Sequence, residues 1–255
     1  MQFTLEHLDI LLLILTRVTG FVYTGPFFSL GNVPNRVKIL FSVVFSFVLF
    51  GILPYEPITY TSDFHYITVL ATEAACGVIV GFFANMGYYI LSYAGSLIDI
   101  EIGFSMVSTL DPVTNTNVTI TSNLYSYLVV LVMMITDLHH YIIKAFSDAY
   151  QIVPIGNVVI HPELYKKMVS FMGSYFLIGF RIILPVFMAI LLVNVVLGIM
   201  AKVAPQMNMF VVGMQLKVLV GLVVLYFVIQ MIPSVGDFIF NTMIKNMKEA
   251  IYSMV

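Results

Sequence analysis

Residues 99–123, DIEIGFSMVSTLDPVTNTNVTITSN, form a polar stretch in the middle of the chain, between two of its most apolar segments. The stretch is rich in Thr, Asn and Ser and contains no Lys or Arg. A membrane helix would not carry this many hydroxyl and amide groups, and a surface loop would normally carry charge. The sequence therefore predicts that the protein shelters this segment or uses it.

The composition of the whole chain is that of an integral membrane protein. Of its 255 residues, 60% are hydrophobic and 9% are charged, whereas about a quarter of a soluble domain is charged. The net charge is -2 and Lys and Arg form no dense cluster, which argues against a nucleic-acid partner. The single Cys76 cannot form an internal disulfide. The amino terminus lacks the features of a cleaved signal peptide, so we expect it to be retained.

Six apolar runs predict the helices of the fold. Spanning the hydrocarbon core takes about 20 apolar residues in a helix, and the strict alternation of β-barrel strands is absent from the sequence. We therefore predict an all-α integral membrane protein with about six hydrophobic helices arranged as hairpins. Pro185 lies inside the fifth run and should kink it. The runs cover residues 9–24, 37–53, 67–97, 124–135, 171–200 and 210–232.

The distribution of Lys and Arg does not fit an ordinary topology of six spans. In short loops these residues normally collect on one side of the membrane. Both connections that flank the fifth run are basic, although a spanning fifth run would place them on opposite sides. We therefore expect that some of the helices are not simple bilayer spans and pack into a larger assembly. The basic residues of the connections are Arg36, Lys38, Lys144, Lys166, Lys167 and Lys202, followed by Lys245 and Lys248 in the tail.

Polar and small residues recur at steps of four within the apolar runs. An unpaired charge in such a segment is costly and is kept only with a partner or a purpose. Residues four apart share one face of a helix, and small residues let another backbone approach closely. The sequence therefore predicts helix–helix contact faces at these positions. The groups are Glu73, Gly77 and Gly81, then Asn194, Gly198 and Lys202, and then Gly213, Lys217 and Gly221, with Arg17 and Arg181 as further basic residues inside apolar runs.

An ion relay through Glu73 is the alternative to helix packing. A relay would need acidic and basic groups along one cavity, but Glu73 is the only acid deep inside an apolar run. We therefore favour a role in packing and assembly.

Asp137, His139 and His140 are the candidate metal ligands of the sequence. Adjacent His residues on a helix point about 100° apart, and no Cys or second His pair supplies further ligands. We favour a polar helix end and predict neither a metal site nor a cofactor. The sequence also lacks a phosphate loop, a zinc-protease motif and a nucleophile elbow, so we predict that the protein is not an enzyme.

The carboxyl-terminal residues 237–255 predict an amphipathic helix that binds an interface or a neighbour. Its apolar face carries Phe240, Met243, Ile244, Met247 and Ile251, and its polar residues are Asn241, Lys245, Lys248 and Glu249.

Several blocks of the sequence together resemble one family, the flagellar biosynthesis protein FliR with its virulence-type counterparts in type III secretion. Their order and spacing cover nearly the whole chain, and the most specific block is residues 194–213. The blocks contain residues 17–28, residues 33–38, Glu73 with Gly77 and Gly81, residues 102–112, His139-His140, and then Asn194, Gly198, Lys202, Pro205, Gln206, Asn208 and Gly213, followed by Lys217 and Gly221. Asp137 is a departure, because a small or amide residue is expected before the His pair.

The resemblance implies a structural and gating subunit of the flagellar type III protein export channel. Its partners would be FliP- and FliQ-family subunits in a hetero-oligomer, an FlhB-family protein, unfolded flagellar export substrates and membrane lipid. Residues 1–165 would be a FliP-like part, and residues 166–255 would be a FliQ-like helical hairpin with an amphipathic tail. The implied location is the bacterial cell membrane, in the export apparatus of the flagellar basal body.

The resemblance also assigns roles to individual residues. Residues 103–122 would project into the closed pore as a plug, with Phe104, Met106, Val107, Leu110, Asp111 and Pro112 as plug residues. Helix packing and assembly would involve Arg17, Glu73, Gly77, Gly81, Asn194, Gly198, Lys202, Pro205, Gln206, Asn208, Gly213, Lys217 and Gly221.

Two other functions compete with export. A small-solute permease would bind its ligand between its own helices and would need no FliP-like partner. An intramembrane enzyme would need a polar catalytic pair at one depth, and the sequence offers none. Between the flagellar and virulence branches we favour the flagellar one, because the block around Pro205 looks closer to it.

Overall fold

The computed structural model describes residues 5–28, 33–55, 58, 60–104 and 119–254. These residues form helices and turns and contain no strand, so the prediction of an all-α protein is confirmed. Among the described residues there are eight helices, namely α1 (Leu5–Thr24), α2 (Asn35–Ile52), α3 (Asp63–Ile102), α4 (Ile120–Ile135), α5 (Leu138–Ile152), α6 (Glu163–Val203), α7 (Met209–Ile229) and α8 (Ile232–Tyr252).

The number of candidate membrane spans agrees with the predicted six hydrophobic helices. Within the described residues, α1, α2, α3, α6 and α7 are each long and apolar enough to cross a membrane, and the bent pair α4–α5 counts as one more. At helical rise, the 40 residues of α3 and the 41 residues of α6 extend about 60 Å, roughly twice the thickness of a hydrocarbon core. These two helices are therefore not simple bilayer spans. The helix α6 continues through Pro185, which does not end it.

The chain divides into two compact units. Unit 1 comprises residues 1–87, 137–171 and 239–255, and unit 2 comprises residues 88–136 and 172–238. The helices α3, α6 and α8 each contribute residues to both units. The division at residue 165 into a FliP-like and a FliQ-like part rests on the family resemblance and stays a prediction.

Unit 1 is built around α1, which packs against α2. The α1 side chains of Leu13, Ile14 and Val18 are fully buried. The ring of Phe21 stacks on Phe146 of α5, with centroids 4.1 Å apart. Burial of apolar area at about 25 cal/mol per Å² is the main source of stability for such a core.

The end of α8 belongs to the core of unit 1. Its apolar face is buried within the chain's own unit rather than left open, and the Val159 amide donates to the Met254 carbonyl oxygen at 3.1 Å. The face predicted to bind an interface or a neighbour is therefore largely covered by the chain itself. Its buried members are Phe240, Met243, Met247 and Ile251.

Unit 2 contains α7 and residues 172–203 of α6, which together form a hairpin. The turn between them ends at Asn208, whose Oδ1 accepts hydrogen bonds from the amides of Phe210 and Val211 at 3.2 and 3.5 Å. Asn is a favoured N-cap residue because its side chain satisfies the first free amides of a helix. Much of the remaining apolar surface of the hairpin is exposed, including Leu192, Val195, Val196 and Ile199 on α6 and Leu219, Leu222, Tyr226 and Phe227 on α7.

Candidate functional site

A buried ion pair joins α1 to α3 in unit 1. Arg17 Nε lies 2.5 Å from Glu73 Oε2, and Arg17 Nη2 donates to Glu73 Oε1 at 2.9 Å. The two side chains are 1% and 0% exposed. Two parallel hydrogen bonds between a guanidinium and a carboxylate are the strongest geometry available to such a pair.

The remaining polar atoms of the pair are satisfied by the segment that follows α5. Arg17 Nη1 donates to the Val153 carbonyl oxygen at 2.9 Å, and Nη2 approaches the Pro154 carbonyl oxygen at 3.4 Å. The Gly156 amide donates to Glu73 Oε1 at 2.7 Å. We call these five residues the Arg17–Glu73 cluster. The cluster holds together two helices and one connecting segment that are far apart in the sequence.

Aromatic packing completes the surroundings of the guanidinium. Arg17 Cζ lies 4.4 Å from the centroid of the Tyr150 ring, a distance at which the ring quadrupole attracts a cation. Tyr150 is itself buried on α5. The ion pair is therefore enclosed by protein.

Glycines allow α1 and α3 to approach closely beside the ion pair. A Cβ atom at Gly77 would overlap the Arg17 carbonyl oxygen, and one at Gly20 would lie 2.7 Å from the Ala74 carbonyl oxygen. Gly81 faces Thr24 and Phe21 in the same way. Small residues at a helix contact permit this backbone approach. Glu73, Gly77 and Gly81 thus share the face that meets α1, while their role in assembly with other subunits stays a prediction.

In unit 2, a second buried polar contact holds the base of the central polar stretch. The Asp99 carboxylate at the end of α3 is 2% exposed. It accepts hydrogen bonds from the Thr121 amide, 3.1 Å from each carboxylate oxygen, and from the Thr121 hydroxyl. Thr121 lies in the first turn of α4, where a carboxylate is favoured by the free amides. The contact therefore ties the end of α3 to the beginning of α4.

Close helix packing reinforces this base. The hydroxyls of Ser92 and Ser122 are 2.9 Å apart, and a Cβ atom at Gly95 would overlap the backbone of Ser122. Sequence reasoning did not single out Asp99, Thr121 or Gly95 as site residues. The signal that could have found them is the pairing of a carboxylate and a hydroxyl at the two edges of the polar stretch.

Of the predicted plug residues, the structure describes only Phe104, which lies just after the end of α3. Gly103, with a φ of +97°, follows the last residue of α3, and such positive φ values favour glycine. Phe104 follows it and is half-buried. The predicted plug positions Met106, Val107, Leu110, Asp111 and Pro112 lie outside the described residues.

A cavity of about 250 Å³ in unit 2 brings the end of α3 together with the hairpin of α6 and α7. Glu101 and Lys217, which carry opposite charges, both line it. The residues that line the cavity also include Gly103 and three predicted assembly positions, Asn194, Gly213 and Lys217.

The other predicted assembly positions lie apart from these contacts. Gly221 packs on Ile102, because a Cβ atom at Gly221 would lie 2.6 Å from the Ile102 side chain. Asn208 caps α7 as described above. The remaining positions are exposed on the hairpin, namely Gly198, Lys202, Pro205 and Gln206.

Asp137 forms the turn between α4 and α5. Its φ is +57° and its ψ is 17°, the left-handed conformation. Non-glycine residues rarely adopt this conformation, and Asn and Asp do so most readily. The backbone thus explains why a small or amide residue is expected here and why Asp137 is tolerated. The His139 and His140 rings do not diverge as predicted from helical spacing, because their centroids are 4.1 Å apart.

Together, the long apolar helices and the buried polar contacts define a polytopic helical membrane protein. The sequence pattern of one family, described as bacterial export proteins, family 1, matches residues 8–243. The chain belongs to this family.

Individual relatives share this similarity over most of their length. The chain is 28% identical over 242 residues to the flagellar biosynthetic protein FliR of Bacillus subtilis, covering 93% of this chain and 92% of the relative. It is 24% identical over 227 residues to FliR of Escherichia coli, covering 89% and 87%, and 25% identical over 223 residues to FliR of Aquifex aeolicus, covering 86% and 85%.

These similarities confirm the predicted resemblance to FliR. The chain is a membrane protein of the flagellar export apparatus. Membership of this family implies that it works in a complex with other export components.

The Arg17–Glu73 cluster gives a direct prediction. Glu73→Gln leaves the guanidinium buried without its counter-charge, so the free energy of unfolding in detergent should fall by about 3–5 kcal/mol. Assembly with other export components should fail in parallel, since the variant loses the ion pair between α1 and α3.

The matched control is Glu249→Gln, which removes an exposed pair with Lys245 at 3.8 Å. An exposed pair of this kind contributes less than about 1 kcal/mol, so this variant should behave as wild type. Normal assembly of Glu73→Gln combined with loss of proton coupling would instead favour the ion relay.

Proposed function

We propose that this chain is a structural and gating subunit of the flagellar type III export channel, which forms part of the pore with partner subunits and closes it with residues 103–122. The observation that supports the plug most directly is the base of the central stretch. Asp99 and Thr121 pin its two ends together between α3 and α4. Because both ends of the segment are held at this base, its middle can project into a pore while the base stays in place.

The chemistry of the segment suits a water-filled pore. Its Thr, Ser and Asn side chains can hydrogen-bond to water and to backbone groups. Its apolar side chains, Phe104, Met106, Val107 and Leu110, would fill the lumen and exclude ions, as hydrophobic constrictions do in channels. The absence of Lys and Arg from residues 99–123 avoids a fixed positive charge in the path of the exported chain.

The exposed apolar surface of α6 and α7 supports an assembly with partner subunits. Large contiguous apolar patches mark contacts with protein or lipid. Lys202 and Arg181 are exposed on the same long helix, where purely lipid-facing charges would be costly. We propose that FliP- and FliQ-family subunits cover much of this surface and that an FlhB-family protein contacts the assembly.

The proposed role is mechanical rather than catalytic. Unfolded flagellar substrates would pass through the shared pore in the bacterial cell membrane, within the flagellar basal body, driven by energy supplied elsewhere. The chain would contribute part of the pore wall and the plug that closes the pore, together with the buried contacts that hold these two parts in position.

Copurification tests the partner assignment. A tagged chain coexpressed with the FliP- and FliQ-family proteins of its organism should elute from a mild detergent column as one hetero-oligomer containing all three. Recovery of a monomer or a simple dimer, together with uptake of a specific solute, would support a permease instead.

Deletion of residues 106–116 tests the plug separately. In complexes reconstituted into planar bilayers, the deletion should raise the conductance to small ions several-fold, because it removes most of the apolar residues that would fill the lumen. The control is Glu249→Gln, which changes an exposed pair with Lys245 outside the central stretch and the predicted assembly positions, so this variant should conduct as wild type. Equal conductance of the deletion variant and the control would remove the plug assignment.

A further inference from the structure

The turn between α4 and α5 brings three metal-ligating side chains of unit 1 together. One ligand atom from each of Asp137, His139 and His140 lies within 4.8 Å of the other two. Two His nitrogens and one carboxylate oxygen are a common donor set for divalent first-row transition metals, Zn²⁺ among them. From this geometry we infer that the Asp137–His139–His140 turn binds one divalent transition-metal ion.

The separation between two of the donors fits ligands of one ion better than a direct hydrogen bond. Asp137 Oδ1 and His140 Nδ1 are 3.6 Å apart, which is beyond the usual hydrogen-bond range. Two ligand atoms at about 2.0–2.2 Å from a tetrahedral Zn²⁺ lie roughly 3.3–3.6 Å apart. An ion can therefore occupy the space between these atoms with little movement of either side chain.

The two consecutive His rings lie side by side although both residues belong to the first turn of α5. Their Cα–Cβ bonds point about 100° apart on the helix, yet the two side chains bring the ring centroids to 4.1 Å with an interplanar angle of 35°. Asp137 stands at the N-cap position in the left-handed conformation, and its side chain makes no capping hydrogen bond. The carboxylate instead extends towards the His140 ring.

Charge also favours a cation at this turn, and the chain itself does not enclose the ligands. The carboxylate supplies the negative charge that two neutral imidazoles lack, and the side chains of Asp137 and His140 are 74% and 69% exposed. Three protein ligands leave at least one coordination position for water or for an atom of another molecule. The bound ion would fix the turn by linking Asp137 to the first turn of α5.

The test uses the full-length protein in detergent, purified through a tag that contains no His and treated with a chelator. Titration with Co²⁺ should give visible absorption that saturates near one ion per chain, and Zn²⁺ should displace it. The variant His139→Gln/His140→Gln should bind Co²⁺ about 100-fold or more weakly, because even second-shell changes cost about 10–100-fold in metal affinity. Asp137→Asn, which keeps a residue suited to the left-handed turn, should also weaken binding.

The control is His65→Gln/His161→Gln, which removes the same number of His side chains at exposed positions elsewhere and should bind as wild type. The inference is wrong if wild type shows no Co²⁺ absorption that Zn²⁺ displaces. It is also wrong if the control loses as much affinity as the His139→Gln/His140→Gln variant. Because binding is measured on the isolated chain, it does not depend on the pore assignment.

Discussion

The buried pair of Arg17 and Glu73 is the constraint on which unit 1 depends. Two charges removed from water are tolerated only when they are paired and their remaining polar atoms are satisfied. Here the guanidinium and the carboxylate satisfy each other, and the segment at residues 153–156 supplies the remaining partners. This requirement holds α1, α3 and the segment after α5 in one arrangement. Any other arrangement would leave an unpaired charge in apolar surroundings.

Residues of α3 take part in a buried polar contact in each of the two units. In unit 1, Gly77 lets α1 come close enough for the ion pair to form. In unit 2, the same helix ends at the Asp99–Thr121 contact that holds the base of the central stretch. Each unit thus contains a buried polar contact that involves a residue of α3.

Much of the fold could be predicted from the sequence, because long apolar runs determine helices almost by themselves. The importance of Arg17 and Glu73 could be predicted, because a charge in an apolar run requires a partner. Their pairing with each other could not be predicted, because the two residues lie far apart in the sequence. The hydrogen bond from Arg17 to the Val153 carbonyl oxygen could not be predicted either, because every residue carries a backbone carbonyl group. The proximity of the His139 and His140 rings was also missed, because helical spacing gives the direction of each Cα–Cβ bond but not the position of the ring at the end of the side chain.

A double-mutant cycle between Arg17 and Glu73 tests the central claim most directly. The free energies of unfolding in detergent would be compared for Arg17→Gln, Glu73→Gln, the double variant and wild type. If the pair organises unit 1, the double variant should be far less destabilised than the sum of the single variants, with a coupling energy of about 2–3 kcal/mol. Additive effects of the two substitutions would contradict the account.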